Sequence, residues 1–211
     1  MPSQGKQDEW VMQVLTKKRK GFFLDIGAGH PVENSNTHLL RRDYDWTGIV
    51  VEPRLDMYQK WLEYPTCANC VPVHGCMIGR NPPEGGNGKL VEFCLNTKIP
   101  DHSSVFGEFP QPEHIQKIHV PSWRPFQLLK TFEAPSVIDY VSLDTEGNEL
   151  SILESFPFMQ RKIRCLTVEH NQCEPVRRGI ERALRVFDMI RVTNGPAECY
   201  WDDFYVNPSL I

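Results

Sequence analysis

GFFLDIGAG, residues 21–29, is the stretch that decides the fold of this chain. Its first six residues are almost continuously apolar, the pattern of a strand buried on both faces. It closes on Asp25-x-Gly27-x-Gly29, where Gly27 permits a sharp turn and Gly29 lets the backbone approach a ligand with no Cβ in the way. Three more strand-like runs end in acids: residues 48–53 (GIVVEP), 138–147 (IDYVSLDTEG) and 163–171 (IRCLTVEHN). In an open parallel α/β sheet, ligands bind in the crevice outside the carboxyl ends of the strands, so these acids are expected along one edge. Folding needs no acids there, which points to a site for a polar, partly cationic ligand.

Around these runs the chain alternates between strand and helix patterns. Residues 7–18 read as a leading amphipathic helix with Trp10, Val11, Val14 and Leu15 on one face. Helices are expected over 34–43, 54–63, 147–156 and 176–186, and further strands within 70–78, 89–95 and 117–120. A short helix is expected over 125–132. The runs 188–193 and 199–206, joined by Asn194-Gly195-Pro196, read as a closing antiparallel hairpin. Residues 81–88 (NPPEGGNG) and 100–112 read as surface loops, and a long loop in a compact domain tends to be functional. With no repeat or composition break, residues 1–211 are expected to form one domain, with 1–20 as a leading helical segment and 81–121 as an insertion that selects a substrate.

Bulk properties narrow the function classes. The 211 residues suffice for one sizeable core. A net charge of −4 gives no basic excess for gripping a phosphate backbone, so nucleic acid is not the expected partner. The basic groups at 17–20, 41–42 and 177–178 read as solvated helix faces and ends. No signal peptide or membrane span is expected. Seven scattered cysteines fit free thiols in a reducing cytoplasm. Cys67, Cys70, His74 and Cys76 lack a second paired module and read as strand residues rather than a zinc site.

The glycine turn departs from a dinucleotide fingerprint, which would place a third glycine where Val32 follows Pro31. Asp25 is poorly placed against a phosphate and well placed for an ammonium group. S-adenosylmethionine carries such a group and no phosphate. A plain strand-to-helix turn, with Asp25 bonding loop amides, is the alternative. Glu52 ends the second strand near the spacing at which a carboxylate takes a ribose hydroxyl pair. Together Asp25 and Glu52 fit an adenosyl ligand without a pyrophosphate.

The segments FLDIGAGHPVENSNT, GIVVEP, IDYVSLDTEGNELSIL and LTVEHN, in that order, resemble the FkbM family of S-adenosylmethionine-dependent methyltransferases over residues 21–171. The resemblance implies a class I methyltransferase fold: an α/β, Rossmann-like three-layer sandwich with a seven-stranded, mostly parallel sheet and an antiparallel C-terminal hairpin. It implies S-adenosylmethionine as cofactor and methyl transfer, usually to oxygen, on a small-molecule or sugar-like acceptor. By position, Asp25, Gly27 and Gly29 would form the methionine-side loop, Asn34 and Ser35 would close it, and Glu52 would hold the ribose. The GCMIG stretch at 75–79, with Met77 and Ile78, would wrap the adenine.

Transfer to an alcohol requires loss of a proton, so a base or a metal is useful. Asp144 is expected beside the methyl position, with Glu169 and His170 at the end of the neighbouring strand. His170 has a natural pKa suited to a general base. Asp144, Glu169 and His170 could instead bind Mg²⁺ or Mn²⁺. Helix-start acids and a strand-capping histidine are the structural alternatives for Glu146, Glu149 and His170. At the level of the whole chain, the alternatives are a cofactor-binding protein without catalysis and a methyltransferase acting on RNA or another macromolecule.

Overall fold

A seven-stranded sheet forms the centre of the computed structural model, which describes residues 3–80, 85–100, 102–105, 112–193, 196 and 200–211. In chain order its strands are β1 (Phe22–Ile26), β2 (Thr47–Glu52), β3 (Cys70–His74), β7 (Val137–Leu143), β8 (Lys162–Glu169), β9 (Ile190–Arg191) and β10 (Asp202–Val206). They lie side by side in the order β3-β2-β1-β7-β8-β10-β9. The first five pair in parallel, and β10 is antiparallel to both β8 and β9. The expected closing hairpin is therefore present. The loop segments 81–84 and 106–111 and the turn residues 194–195 lie outside the described residues.

Side-chain alternation distributes the apolar residues of the strands to two layers. Leu24, Ile26, Ile49 and Val51 pack with Leu128 and Leu129 of α4 (Pro125–Thr131), Ile152 and Leu153 of α5 (Glu149–Ser155), and Ile180 and Leu184 of α6 (Glu174–Arg185). On the other face Phe23, Val50 and Tyr140 meet Trp10 and Val11 of α1 (Gln7–Val14), Leu40 of α2 (His38–Tyr44) and Trp61 of α3 (Leu55–Glu63). Burial on both faces explains the near-continuous apolar runs in the sequence.

After β3 at one edge, the chain returns across the sheet to β7 on the far side of β1. The order reverses between β1 and β7, and the crevice of such a sheet opens at that switch point. The intervening segment builds a small second sheet of β4 (Cys76–Met77), β5 (Leu90–Asn96) and β6 (Ile115–Trp123). Gly75, at φ 141°, separates β3 from β4, and a Cβ there would lie 2.4 Å from the carbonyl oxygen of Pro121.

Several boundaries differ from the sequence reading. The strand expected within 70–78 is two strands, divided at Gly75. Helix α1 stops at Val14, and Thr16 and Lys17 take left-handed backbone at φ 48° and 57°. Helix α2 begins at His38 rather than 34, because Asn34 is left-handed at φ 57° and the side chains of Asn36 and Thr37 bond to Ser142 and Asp25. Strand β6 is longer than 117–120 because β5 pairs with it from Leu90↔Pro121 to Asn96↔Ile115. Among the described residues no helix is long and apolar enough to cross a membrane.

Candidate functional site

A cleft of about 570 Å³ opens at the switch point, and all four acidic strand ends line it. At the end of β1 the chain turns through Gly27 at φ 76° and Gly29 at φ 55°. The Gly27 and Ala28 amides donate to Val51 O at 3.0 and 3.3 Å, binding the turn to β2. The Gly29 amide donates to Glu52 Oε2 at 2.7 Å. Asp25, beneath the turn, is 2 % exposed and accepts from Thr37 Oγ1 at 2.8 Å. Burial pushes its pKa up to about 6, against the lowering influence of Thr37 and the Arg41 charge.

Glu52, at the end of β2, is held in place by backbone. Oε1 accepts the Arg54 amide at 2.8 Å and Oε2 the Gly29 amide. Burial still dominates and pushes its carboxyl up to about 7. Asp25 and Glu52 therefore face one cavity, with the glycine turn between them. Asn34 and Met77 also line it.

Across the cleft lies a second group of acids. Carboxyl oxygens of Asp144, Glu146 and Glu169 come within 4.8 Å of one another. Burial, reinforced by the adjacent Glu169, raises the Asp144 carboxyl well above the usual range. Glu169 is raised as well, mainly by burial, and Asp144 hydrogen-bonds to it. The two carboxyls therefore titrate as a linked pair, with proton release shifted upward by burial and mutual repulsion. Asn171 Nδ2 bridges the group, 3.3 Å from Glu146 Oε2 and 3.1 Å from Glu169 Oε2. Glu149 stands in the first turn of α5, as the helix-start reading expects, and it also gathers the loop: its carboxylate accepts from Thr145 N, Thr145 Oγ1 and Gly147 N. Three hard oxygen ligands at this spacing suit Mg²⁺ or Mn²⁺.

The second sheet and the loop after β5 also contribute to the wall of the cleft. Phe93, Ile99, Pro100, His102, Ser103 and Val105 line the cleft there, and Trp201, 48 % exposed, stands at its rim. Most of the expected binding residues thus gather in one place. Three do not reach the cavity wall. Ser35 is buried behind the turn, where its hydroxyl accepts from Arg41 at 3.3 Å. Ile78 packs into the apolar cluster of the second sheet with Val91, Phe93 and Val120. His170 is a correction to both the expected base and the expected metal ligands. It lies behind the cleft, its Nδ1 accepting the Gln172 amide at 3.1 Å and its Nε2 3.8 Å from Asp203. Burial lowers its pKa.

Strand β8 ends at Glu169, and the chain then turns, with left-handed backbone at Asn171 (φ 48°) and Gln172 (φ 54°). Glu169 faces the cleft, His170 faces away, and Asn171 returns to it. Asn171 was missed, because the strand pattern stops at Glu169 and the turn after it sets the direction of this side chain. Asn36 was also missed. It lines the cleft while donating to Ser142 Oγ at 3.0 Å.

Comparison with known proteins gives three results. The family model described as Methyltransferase FkbM domain matches residues 25–182. No curated protein matches the sequence. Among solved structures, two of the METTL16 MTase domain align with TM-scores of 0.52 and 0.51 at 12 % identity. Both alignments cover 94 % of this chain, and 64 % and 65 % of those chains, so this chain spans less than two thirds of their length. A SAM-dependent O-methyltransferase from Thermotoga maritima aligns at 9 % identity and a TM-score of 0.46, over 96 % of this chain and 64 % of that one. At these identities the likeness is one of fold.

Proposed function

Because the chain belongs to the FkbM methyltransferase family and has the class I methyltransferase fold, we propose that its cleft binds S-adenosylmethionine and that the protein methylates a hydroxyl group of a small, sugar-like acceptor. The observation that supports this reading is the placement of Asp25 and Glu52 on one cavity, on either side of a glycine turn, with Asp144 across from them. Such a cleft offers a carboxylate to an ammonium group and another to a diol, and the turn lacks the third glycine of a pyrophosphate site.

In this reading Asp25 receives the ammonium end of the donor and Glu52 accepts from the ribose hydroxyls. Gly27 and Gly29 keep side chains out of the donor's path, and Asn34 closes the loop. Met77 supplies a polarizable apolar wall for the adenine. Ser35 and Ile78 contribute from behind, through Arg41 and through the second sheet. When bound, the donor supplies an electrophilic methyl carbon.

The chain then holds an acceptor oxygen in line with that carbon and excludes water. Asp144 orients the hydroxyl, and Glu169 takes its proton. A carboxylate whose pKa is raised toward neutrality is a better base than an ordinary one. The same carboxylates, with Glu146, are the candidate ligands for Mg²⁺ or Mn²⁺, which would supply Lewis acidity toward the hydroxyl. Residues 81–121 select the acceptor, through the wall formed by Phe93, Ile99, Pro100, His102, Ser103 and Val105.

Isothermal titration with S-adenosylhomocysteine tests the donor, and methyl transfer to a panel of sugars and small alcohols tests the acceptor. Folded protein with no affinity for S-adenosylhomocysteine would sink the donor assignment. Methylation of RNA in place of the hydroxyl panel would sink the acceptor class.

A further inference from the structure

On the reading that the glycine turn cradles the donor, we infer that Trp61 and Arg41 are positioning residues that set donor affinity by fixing the backbone of residues 29–31 and, through Gly29, the carboxylate of Glu52. Trp61 on α3 is 1 % exposed, and Arg41 on α2 is 6 % exposed. The guanidinium lies over the indole, 4.5 Å from its centroid. Each partner donates to one carbonyl of the loop. Trp61 Nε1 bonds Gly29 O at 2.9 Å, and Arg41 bonds Pro31 O. A second Arg41 nitrogen reaches Cys67 Sγ at 3.2 Å, which fixes the guanidinium plane.

Gly29 is therefore held at both ends of its residue. Its N–H goes to Glu52 and its C=O goes to Trp61. Tight core packing alone would need neither hydrogen bond, and a phenyl ring would fill most of the same volume. The indole N–H tethers a residue that glycine's freedom would otherwise leave loose. When that tether is lost, the Gly29 amide drifts from Glu52, and the carboxylate loses one of its two backbone donors.

Trp61→Phe keeps an aromatic ring under Arg41 and deletes the N–H together with part of the ring volume, and the control below accounts for the loosened packing. Its expected effect is about a tenfold loss of affinity for S-adenosylhomocysteine by isothermal titration, the scale of one buried carbonyl left unpaired. The pH midpoint of that affinity should also move upward, because the Gly29 amide favours the charged form of Glu52. The other charged groups bearing on Glu52 are Arg54 and Asp56, and Asp25, His30, Glu33 and Lys60 share the cavity wall. None of these is altered by the substitution. Ile163→Val is the control. It loosens the core on the opposite face of the sheet and should leave the midpoint at the wild-type value.

Wild-type affinity and midpoint in Trp61→Phe would overturn the inference. So would an equal shift of the midpoint in Ile163→Val. Absence of binding by the wild-type chain would instead overturn the donor assignment, and with it any role for this pair in donor affinity.

Discussion

Gly27 lies directly against the backbone of Asp144: a Cβ placed on it would sit 1.6 Å from the Asp144 carbonyl oxygen. The contact joins the turn after β1 to the turn after β7, on the two sides of the switch point. The Asp144 amide also bonds Ile26 O at 3.0 Å, so the two strand ends are held together. Gly29, two residues on, has nothing within 4 Å of its virtual Cβ. The two glycines should therefore respond differently. Gly27→Ala must push β7 away and should cost about 3 kcal/mol or more in urea denaturation, the scale of backbone strain added to a steric clash. Gly29→Ala adds only left-handed strain, about 1–2 kcal/mol. Its methyl group enters the open cleft, however, so donor affinity should fall by more than the stability loss implies. Equal losses of stability in the two variants would contradict this account.

Glu52 sets a pH dependence with opposite signs for folding and for binding. Burial raises its carboxyl from 4.5 to about 7, so the folded chain holds that proton more tightly than the unfolded chain does. Its contribution to stability is full below 4.5 and is lost as pH rises toward about 7. Ribose hydroxyls donate to the charged form. Donor affinity should thus be full above about pH 7 and decline as pH falls through it. Glu52→Gln should weaken binding at pH 8 and flatten this decline. A smaller fall should remain near pH 6, where Asp25 takes up its proton. Titration calorimetry at half-unit intervals reads both effects, and an unchanged profile in Glu52→Gln would rule out Glu52 as its source.

The sheet was legible because its strands are buried on both faces, which leaves near-continuous apolar runs such as FFLDI and YVSL. Their acidic ends were legible because an acid at a strand terminus has no packing reason to be there. The start of α2 was not. Asn34, Ser35, Asn36 and Thr37 look like helix-start residues, but Thr37 is spent on Asp25 and Asn36 on Ser142, contacts that depend on strands brought beside them by the fold. His170 misled for a related reason. Its pKa suits a base in isolation, yet the side-chain direction after β8 sends it to Asp203. Strand β6 was underestimated at both ends, because residues 115–116 and 121–123, with Pro121 among them, take strand form through pairing with β5 and β4.

Replacing either carboxyl of the coupled pair should separate chemistry from binding. Asp144→Asn and Glu169→Gln remain hydrogen-bonding and similar in size, so donor affinity should change by less than about threefold. Methyl transfer should fall by about 10²–10⁴-fold, the range for loss of a general base. A kcat within a factor of a few of wild type in Glu169→Gln would remove it from the proton path. Treatment with EDTA divides the two chemistries open to this cluster. Lost turnover restored by Mn²⁺ assigns the acids to a cation, and unchanged turnover assigns them to the proton alone.

Trp201 and His102 test whether this wall of the cleft selects the acceptor. Both line the cavity, neither belongs to the buried core, and Trp201 lies beside the acidic end of β8, its carbonyl accepting the His170 amide at 2.8 Å. A half-exposed indole beside carboxylates is a surface on which a sugar ring can stack while its hydroxyls reach Glu146 and Asn171. Trp201→Ala should raise the acceptor KM about tenfold, as expected when an aromatic platform worth about 1–1.5 kcal/mol is removed. His102→Ala should change the ranking of acceptors, with a smaller effect on any one of them. Affinity for S-adenosylhomocysteine should stay at the wild-type value in both, because the donor end of the cleft is untouched. A loss of donor affinity matching the rise in acceptor KM would mean that this wall shapes the whole cavity rather than the acceptor end.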